Sequence, residues 1–160
     1  PPQTRRVWEL RKAGLGSLSN VPGDAKPVAC IEDTAVALED LPDYIADFEK
    51  ILTEFGQQAV FYAHAGAGEL HLRPFLNLKD TTDRQLFRRI TAATAELVHR
   101  YGGSLSGEHG DGRVRSEFIE RMIGTDNYRL LQQIKNAWDP QRIFNPGKIV
   151  DPLPMDVAFR

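Results

Sequence analysis

Cys30 is the only cysteine in the chain. An intramolecular disulfide is therefore impossible, and so is a cysteine-rich metal site. Cys30 itself reads as a small buried hydrophobe. No apolar run approaches the roughly 18 residues of a membrane span. A basic excess is also missing: 20 basic and 22 acidic side chains leave a net charge of −2, which argues against a nucleic-acid partner. No acidic block suggests a disordered tail, and no internal repeat or low-complexity segment is visible. No signal-peptide pattern opens the chain, so the expected compartment is the cytoplasm. The nucleotide-binding fingerprints fail residue by residue. After Gly66 and Gly68, His71 stands where a third glycine should fall. After Gly110 and Gly112, Arg115 stands there. Before Gly147-Lys148, Arg142 replaces the first glycine of a phosphate loop.

What is present fits one soluble domain of 160 residues, 41% hydrophobic and 26% charged. A chain of this size buries about 70% of the surface exposed when unfolded. Thr4 to Leu15 reads as a short helix, with Val7, Trp8, Leu10 and Leu15 apolar and Gly14 and Gly16 as stop signals. Residues 17–26 read as a loop. Pro27 to Ile31 reads as a short strand. Asp40 is expected to cap a helix with Pro42 in its first turn and Gly56 at its close. Its apolar face comes from Leu41, Tyr44, Ile45, Phe48, Ile51, Leu52 and Phe55 at three- and four-residue steps. Ala59 to Leu76 places beta-formers around a glycine-rich centre, which signals a hairpin. Helical spacing returns over Asp80 to Tyr101 and ends at Gly102-Gly103. Helices also fit Glu117 to Ile123 and Asn127 to Trp138. The proline-containing tail from Asp139 to Arg160 is expected to be extended. One hairpin between helices, without a βαβ rhythm, predicts an α+β fold with an antiparallel sheet.

Two segments carry chemistry. In His64-Ala-Gly-Ala-Gly-Glu-Leu-His71, a two-residue turn at Ala67-Gly68 would set His64 opposite His71. Directly opposed residues hold their Cβ atoms about 4.5–5.5 Å apart on one face. Two such imidazoles can share a divalent cation, and they equally fit two structural histidines packing a hairpin. The second segment is Gly107-Glu108-His109-Gly110-Asp111-Gly112-Arg113. Glu108 can complete a triad with His64 and His71, and an imidazole such as His109 suits proton transfer near neutrality. A flexible turn with solvated polar groups is the other reading. His99 reads as structural. Arg11, Arg73, Arg113 and Arg115 flank these segments, and guanidinium groups grip carboxylates through paired hydrogen bonds, which suggests a small anionic substrate.

The sequence resembles the C-terminal (cap) domain of FAD-linked oxidases of the D-lactate dehydrogenase, glycolate oxidase and D-2-hydroxyglutarate dehydrogenase type. The residues carrying the resemblance are Trp8-x-x-Arg11, Glu32-Asp33, Leu41-Pro42, His64-x-Gly66-x-Gly68-x-x-His71, Gly107-Glu108-His109-Gly110-x-Gly112 and Phe144-Asn145-Pro146-Gly147-Lys148. They occur in the family's order and span nearly the whole chain. Ala67 and Glu69 stand where many relatives carry Asp and Asn, and Arg73 where some carry Asn.

The resemblance implies a ferredoxin-like cap domain, with the whole of residues 1–160 one fragment and the FAD-binding domain outside it. It implies oxidation of a small D-2-hydroxy acid to the 2-keto acid, with hydride passed to FAD. His64, His71 and Glu108 would bind a divalent metal such as zinc, manganese or iron. His109 would act as the base. Arg11 would hold the substrate carboxylate, with Arg73 a further substrate contact. Asn145 and Lys148 would lie toward the flavin. The HAGAGELHLRP wording and the closing Pro154-Met155-Asp156 resemble the long members, in which an iron–sulfur segment follows the oxidase. The expected partners are the hydroxy acid and the FAD-binding domain of the same parent chain. Electron-transfer partners would allow a peripheral position at the membrane. A non-redox metal-dependent hydrolase and a non-catalytic interaction module are the alternative classes.

Overall fold

The computed structural model describes residues 2–157. The side chain of Leu15 and the last part of the expected extended tail, 158–160, lie outside the described residues. Among the described residues, five α-helices and four strands follow one another: α1 (Pro2–Ser19), β1 (Lys26–Pro27), β2 (Ile31–Ala35), α2 (Leu41–Glu54), β3 (Ala59–His64), β4 (Glu69–Leu76), α3 (Thr81–Arg100), α4 (Ile119–Ile123) and α5 (Thr125–Trp138).

The sheet is antiparallel, and β4 is its middle strand. On one side lies β3; on the other lie β2 and the short β1. A single antiparallel bridge, Ala35 with Ser104, adds the start of a further strand beside β2. The β2–α2–β3–β4–α3 succession with β4 between β2 and β3 is the ferredoxin-like arrangement, with its last strand reduced to that bridge. The α+β expectation holds.

Strand periodicity sorts β4 into two faces. Leu70, Leu72 and Leu76 point inward and meet Ile31, Tyr44, Phe48, Leu52, Ile90, Leu97 and Val98 in one core. Each fully buried apolar side chain of this kind contributes about 1.5–3 kcal/mol. Glu69, His71 and Arg73 occupy the opposite face. α2 forms because its apolar residues recur on one stripe. α3 is held at its start by Asp80, whose side chain accepts from the amides of Thr82 and Asp83.

Several sequence expectations need correction. α1 runs through Gly14 and Gly16 to Ser19, because an internal glycine costs a helix only about 1 kcal/mol and does not forbid it. The expected strand over Pro27 to Ile31 is split: β1 ends at Pro27 and β2 begins at Ile31. Asp40 occupies the cap position of α2 but makes no side-chain cap bond. A short 3-10 turn, Leu38–Asp40, leads the chain in instead, so Asp40 is already helical.

The hairpin turn is longer than two residues. Ala65–Ala67 form a 3-10 turn closed by Gly68 at φ +69°. The register therefore sets His64 opposite Glu69 and Tyr62 opposite His71. His64 and His71 are diagonal neighbours, not an opposed pair. The shift is two residues, so both still lie on one face.

Candidate functional site

The outer face of the sheet builds the site from the middle strand outward. Glu32, His71 and Tyr62 form one rung across β2, β4 and β3. The Tyr62 ring stacks on His71 with centroids 4.8 Å apart. Its hydroxyl donates to Glu32 Oε1 at 3.4 Å, and Glu32 Oε2 pairs with Arg73 at 2.5 Å. His71 is almost fully buried, and its Nδ1 has no hydrogen-bond partner; Glu32 Oε1 stands 3.9 Å away. Burial pushes the His71 pKa down, which favours the neutral imidazole, the form that binds metals.

The Gly107–Arg113 loop is delivered to this face by β2. Ala35 and Ser104 exchange backbone hydrogen bonds of 2.9 and 2.8 Å. The Gly107 amide donates to the Asp33 carbonyl at 2.6 Å. The Asp33 carboxylate accepts from Ser106 Oγ at 2.5 Å, the Glu108 amide at 2.8 Å and the His109 amide at 2.9 Å. Gly107 permits this approach: a Cβ there would stand 3.2 Å from that of Ala35. The guanidinium of Arg115 donates to the carbonyls of Glu32 and Gly110 and stays buried, so it secures the loop.

The result is a convergence on one oxygen. Glu108 Oε1 lies 3.2 Å from His109 Nε2, 3.6 Å from His64 Nε2 and 3.9 Å from His71 Nε2. His71 and His109 stack at 5.5 Å, while His64 meets His71 edge-on at 5.2 Å. Ligating atoms of His64, His71 and Glu108 all fall within 4.8 Å of one another. The same holds for Glu32 with His71 and His109, and for Asp33 with Glu108 and His109.

Two donors bound to one ion by bonds of about 2.0–2.1 Å stand no more than about 4.2 Å apart. The three contacts to Glu108 fall inside that limit, and the donor set, imidazole Nε2 atoms around one carboxylate oxygen, is one that divalent cations accept. The residues therefore fit a divalent cation. Beneath them, the carboxyl groups of Glu69 and Asp33 influence each other's titration. For Asp33, burial acts to raise the pKa, but the bonds from Ser106 and the two amides outweigh it and hold the group low. Burial, the neighbouring Asp33 carboxylate and the nearby Glu108 charge push Glu69 the other way, well above the usual carboxylate range.

α1 roofs this face, leaving a cleft of about 690 Å³ bordered by Trp8, Arg11, Tyr62, His64, His71 and His109. Arg11 lies over the Tyr62 ring at 5.3 Å. The structure thus gathers His64, His71, Glu108, His109 and Arg11. Arg73 sits beside them, already paired with Glu32. Asn145 and Lys148 line a separate cavity of about 450 Å³ with Arg113 and Phe144. His99 is exposed on α3. Sequence reasoning missed Tyr62, Glu69 and the part played by Asp33. The alternation of Glu69, His71 and Arg73 along one strand is the signal that finds Glu69. Tyr62 follows once the turn length is known.

Residues 1–149 match the family described as FAD linked oxidases, C-terminal domain. The chain belongs to that family. It is 46% identical over 148 residues to a D-2-hydroxyglutarate dehydrogenase of Pseudomonas putida, covering 92% of this chain and 14% of the relative. It is 39% identical over 154 residues to a D-2-hydroxyglutarate dehydrogenase of Escherichia coli, covering 96% of this chain and 15% of the relative. A glycolate oxidase subunit of Bacillus subtilis is 25% identical over 143 residues, covering 89% of this chain and 30% of the relative. The chain thus spans about one seventh of the length of the two dehydrogenases.

Proposed function

We propose that this chain supplies the metal- and substrate-binding face of a flavin-dependent dehydrogenase acting on a small D-2-hydroxy acid. A hydroxy diacid of the 2-hydroxyglutarate type is the first candidate, from the relatives at 39–46% identity. The observation carrying this reading is the convergence of three imidazole Nε2 atoms on Glu108 beside a cleft that Arg11 enters.

His64, His71 and Glu108 are the residues to hold the cation. Nitrogen and oxygen donors without thiolate suit zinc, manganese or iron. When bound, such an ion stabilises negative charge developing on the substrate oxygen. His109 is the residue to take the hydroxyl proton, and FAD, when bound by the adjoining domain, would supply the acceptor for the hydride from C2. The balance would be a 2-keto acid, two electrons and one hydrogen passed to the flavin, and one proton held on His109. Arg11 holds the carboxylate and so orients C2. Arg73 serves the substrate indirectly, by fixing Glu32 and Tyr62 around His71.

Asn145 and Lys148, with Arg113, offer an amide and two cations to the flavin nucleotide of the adjoining domain. The length of the relatives leaves room for an FAD-binding domain and for an iron–sulfur segment elsewhere in the parent protein. Among the described residues, no helix is long and apolar enough to cross a membrane. We assign the parent protein to the cytoplasm, with contact to the membrane through electron-transfer partners.

The test is stopped-flow reduction of the flavin in the full-length protein by D-2-hydroxyglutarate and D-lactate. Loss of a general base slows such a step by about 10²–10⁴-fold, so His109→Ala should show that loss. An unchanged rate removes His109 as base. Hydrolytic turnover without flavin would favour the hydrolase class instead.

A further inference from the structure

Asp33 combines full burial with a place on a strand irregularity. It is the extra residue of a bulge in β2, between the pairs Glu32–His71 and Thr34–Leu70. Its φ is +92°, a backbone conformation that non-glycine residues adopt only where the surroundings over-determine it. Its side chain is fully buried. Bulges re-aim a side chain, and this one turns the carboxylate away from the strand's own ladder and toward the 106–109 loop.

Four consecutive loop residues are tied to it. Ser106 donates its hydroxyl, Glu108 and His109 donate their amides, and Gly107 donates its amide to the Asp33 carbonyl. The buried charge is supported by Arg115, 3.7 Å away. A glycine-rich surface turn needs no buried carboxylate to exist. Two of the four residues held are the ones whose side chains converge on His64 and His71. With both amides fixed, the Cα–Cβ directions of Glu108 and His109 are fixed relative to the sheet.

We propose that Asp33 is the positioning residue of the centre, its carboxylate setting Glu108 as ligand and His109 as base in register with the two histidines of the sheet. This rests on the metal-binding reading above. Asp33 touches neither ion nor substrate; it acts through the loop backbone.

The experiment uses the full-length protein and Mn²⁺ as the probe. Mn²⁺ affinity is measured by calorimetry, and amide hydrogen exchange is followed in peptides covering 106–109. Asp33→Asn keeps the shape of the side chain but turns one acceptor into a donor facing donors. The expected result is faster exchange at Glu108 and His109 together with a loss of about 10–100-fold in Mn²⁺ affinity, the usual scale for supporting residues around a metal. Ser106→Ala removes one of the same contacts without touching the buried charge and should weaken Mn²⁺ severalfold, which keeps the test open if Asp33→Asn does not fold. Val98→Ala, a core change on α3, should lower the melting temperature while leaving both loop exchange and affinity unchanged. If wild type binds Mn²⁺ and both loop variants bind it equally well, Asp33 is not the positioning residue and the metal reading stands. If wild type itself takes up no Mn²⁺, the metal reading falls and the role of Asp33 falls with it.

Discussion

His71 and His109 stack with ring centroids 5.5 Å apart and planes 19° from parallel. One belongs to the middle strand of the sheet, the other to a glycine-rich loop. The sheet histidine is nearly buried and the loop histidine is about half exposed. The buried ring is thus fixed by packing, while the exposed ring is fixed by its backbone. A change in the loop should alter the geometry of the pair without unfolding the domain.

The hairpin turn is less tolerant. Gly68 has φ +69°, and a Cβ placed there would lie 2.1 Å from the carbonyl oxygen of Val36. That oxygen belongs to backbone, so it cannot move alone. Gly68→Ala should destabilise the domain by at least about 2 kcal/mol, read by urea denaturation. A loss under half that size would mean that the turn can open without disturbing β2.

The two arginines beside Tyr62 should separate cleanly. Arg73 is paired with Glu32, and both are largely buried. Removing one partner of a buried pair leaves the other charge uncompensated, so Arg73→Met should cost about 3 kcal/mol, much of it recovered on adding Glu32→Gln. Arg11 is exposed on α1. Arg11→Met should leave stability within about 0.5 kcal/mol, the range of most surface changes. In the full-length protein it should raise KM for the hydroxy acid by about tenfold or more, the worth of a hydrogen bond to a charged group. The reverse pattern would exchange their roles.

Cys30 is fully buried, and burial pushes its thiol up to about 12. The thiolate is the reactive form. A disulfide reagent at pH 8 should leave Cys30 unlabelled in the native protein and label it after denaturation. Rapid native labelling would show that the α3 side of the core opens.

The cap of α3 sets a pH dependence. The amides of Asp83 and Thr82 hold the Asp80 carboxyl below its ordinary value of 3.8. A depressed pKa in the folded state stabilises above the unfolded value, and that stabilisation is lost as the pH falls through the folded one. Asp80→Ala should therefore melt lower than wild type at pH 7, and the gap should close below about pH 4, near the ordinary aspartate range. A gap independent of pH would mean that the cap bond is not made by the carboxylate.

α2 and α3 are legible in the sequence because each buries one stripe, and stripes repeat at helical spacing. The face shared by His64 and His71 is legible too. The assumed turn and the observed one differ by an even number of residues, which preserves the face while changing the partners. β2 is not legible. Its residues, Ile-Glu-Asp-Thr-Ala, alternate poorly because Glu32 turns to the site and Asp33 sits on a bulge, so nothing after Ile31 signals a strand. Nothing local announces the bulge itself. It becomes visible only when the loop amides that need Asp33 arrive from a distant part of the chain. The end of α1 is obscured for another reason: its two glycines are ordinary stop signals, and the actual stop comes past Ser19.

The central claim is that His64, His71 and Glu108 form a divalent-cation centre. The most direct measurement loads the full-length protein with Co²⁺ and follows its visible d–d absorption during titration, with His64→Ala, His71→Ala and Glu108→Gln beside wild type. The expected result is a ligand-field band that saturates in wild type and is lost or weakened in each variant. A wild-type spectrum without such a band, or a band that all three variants retain unchanged, would contradict the claim.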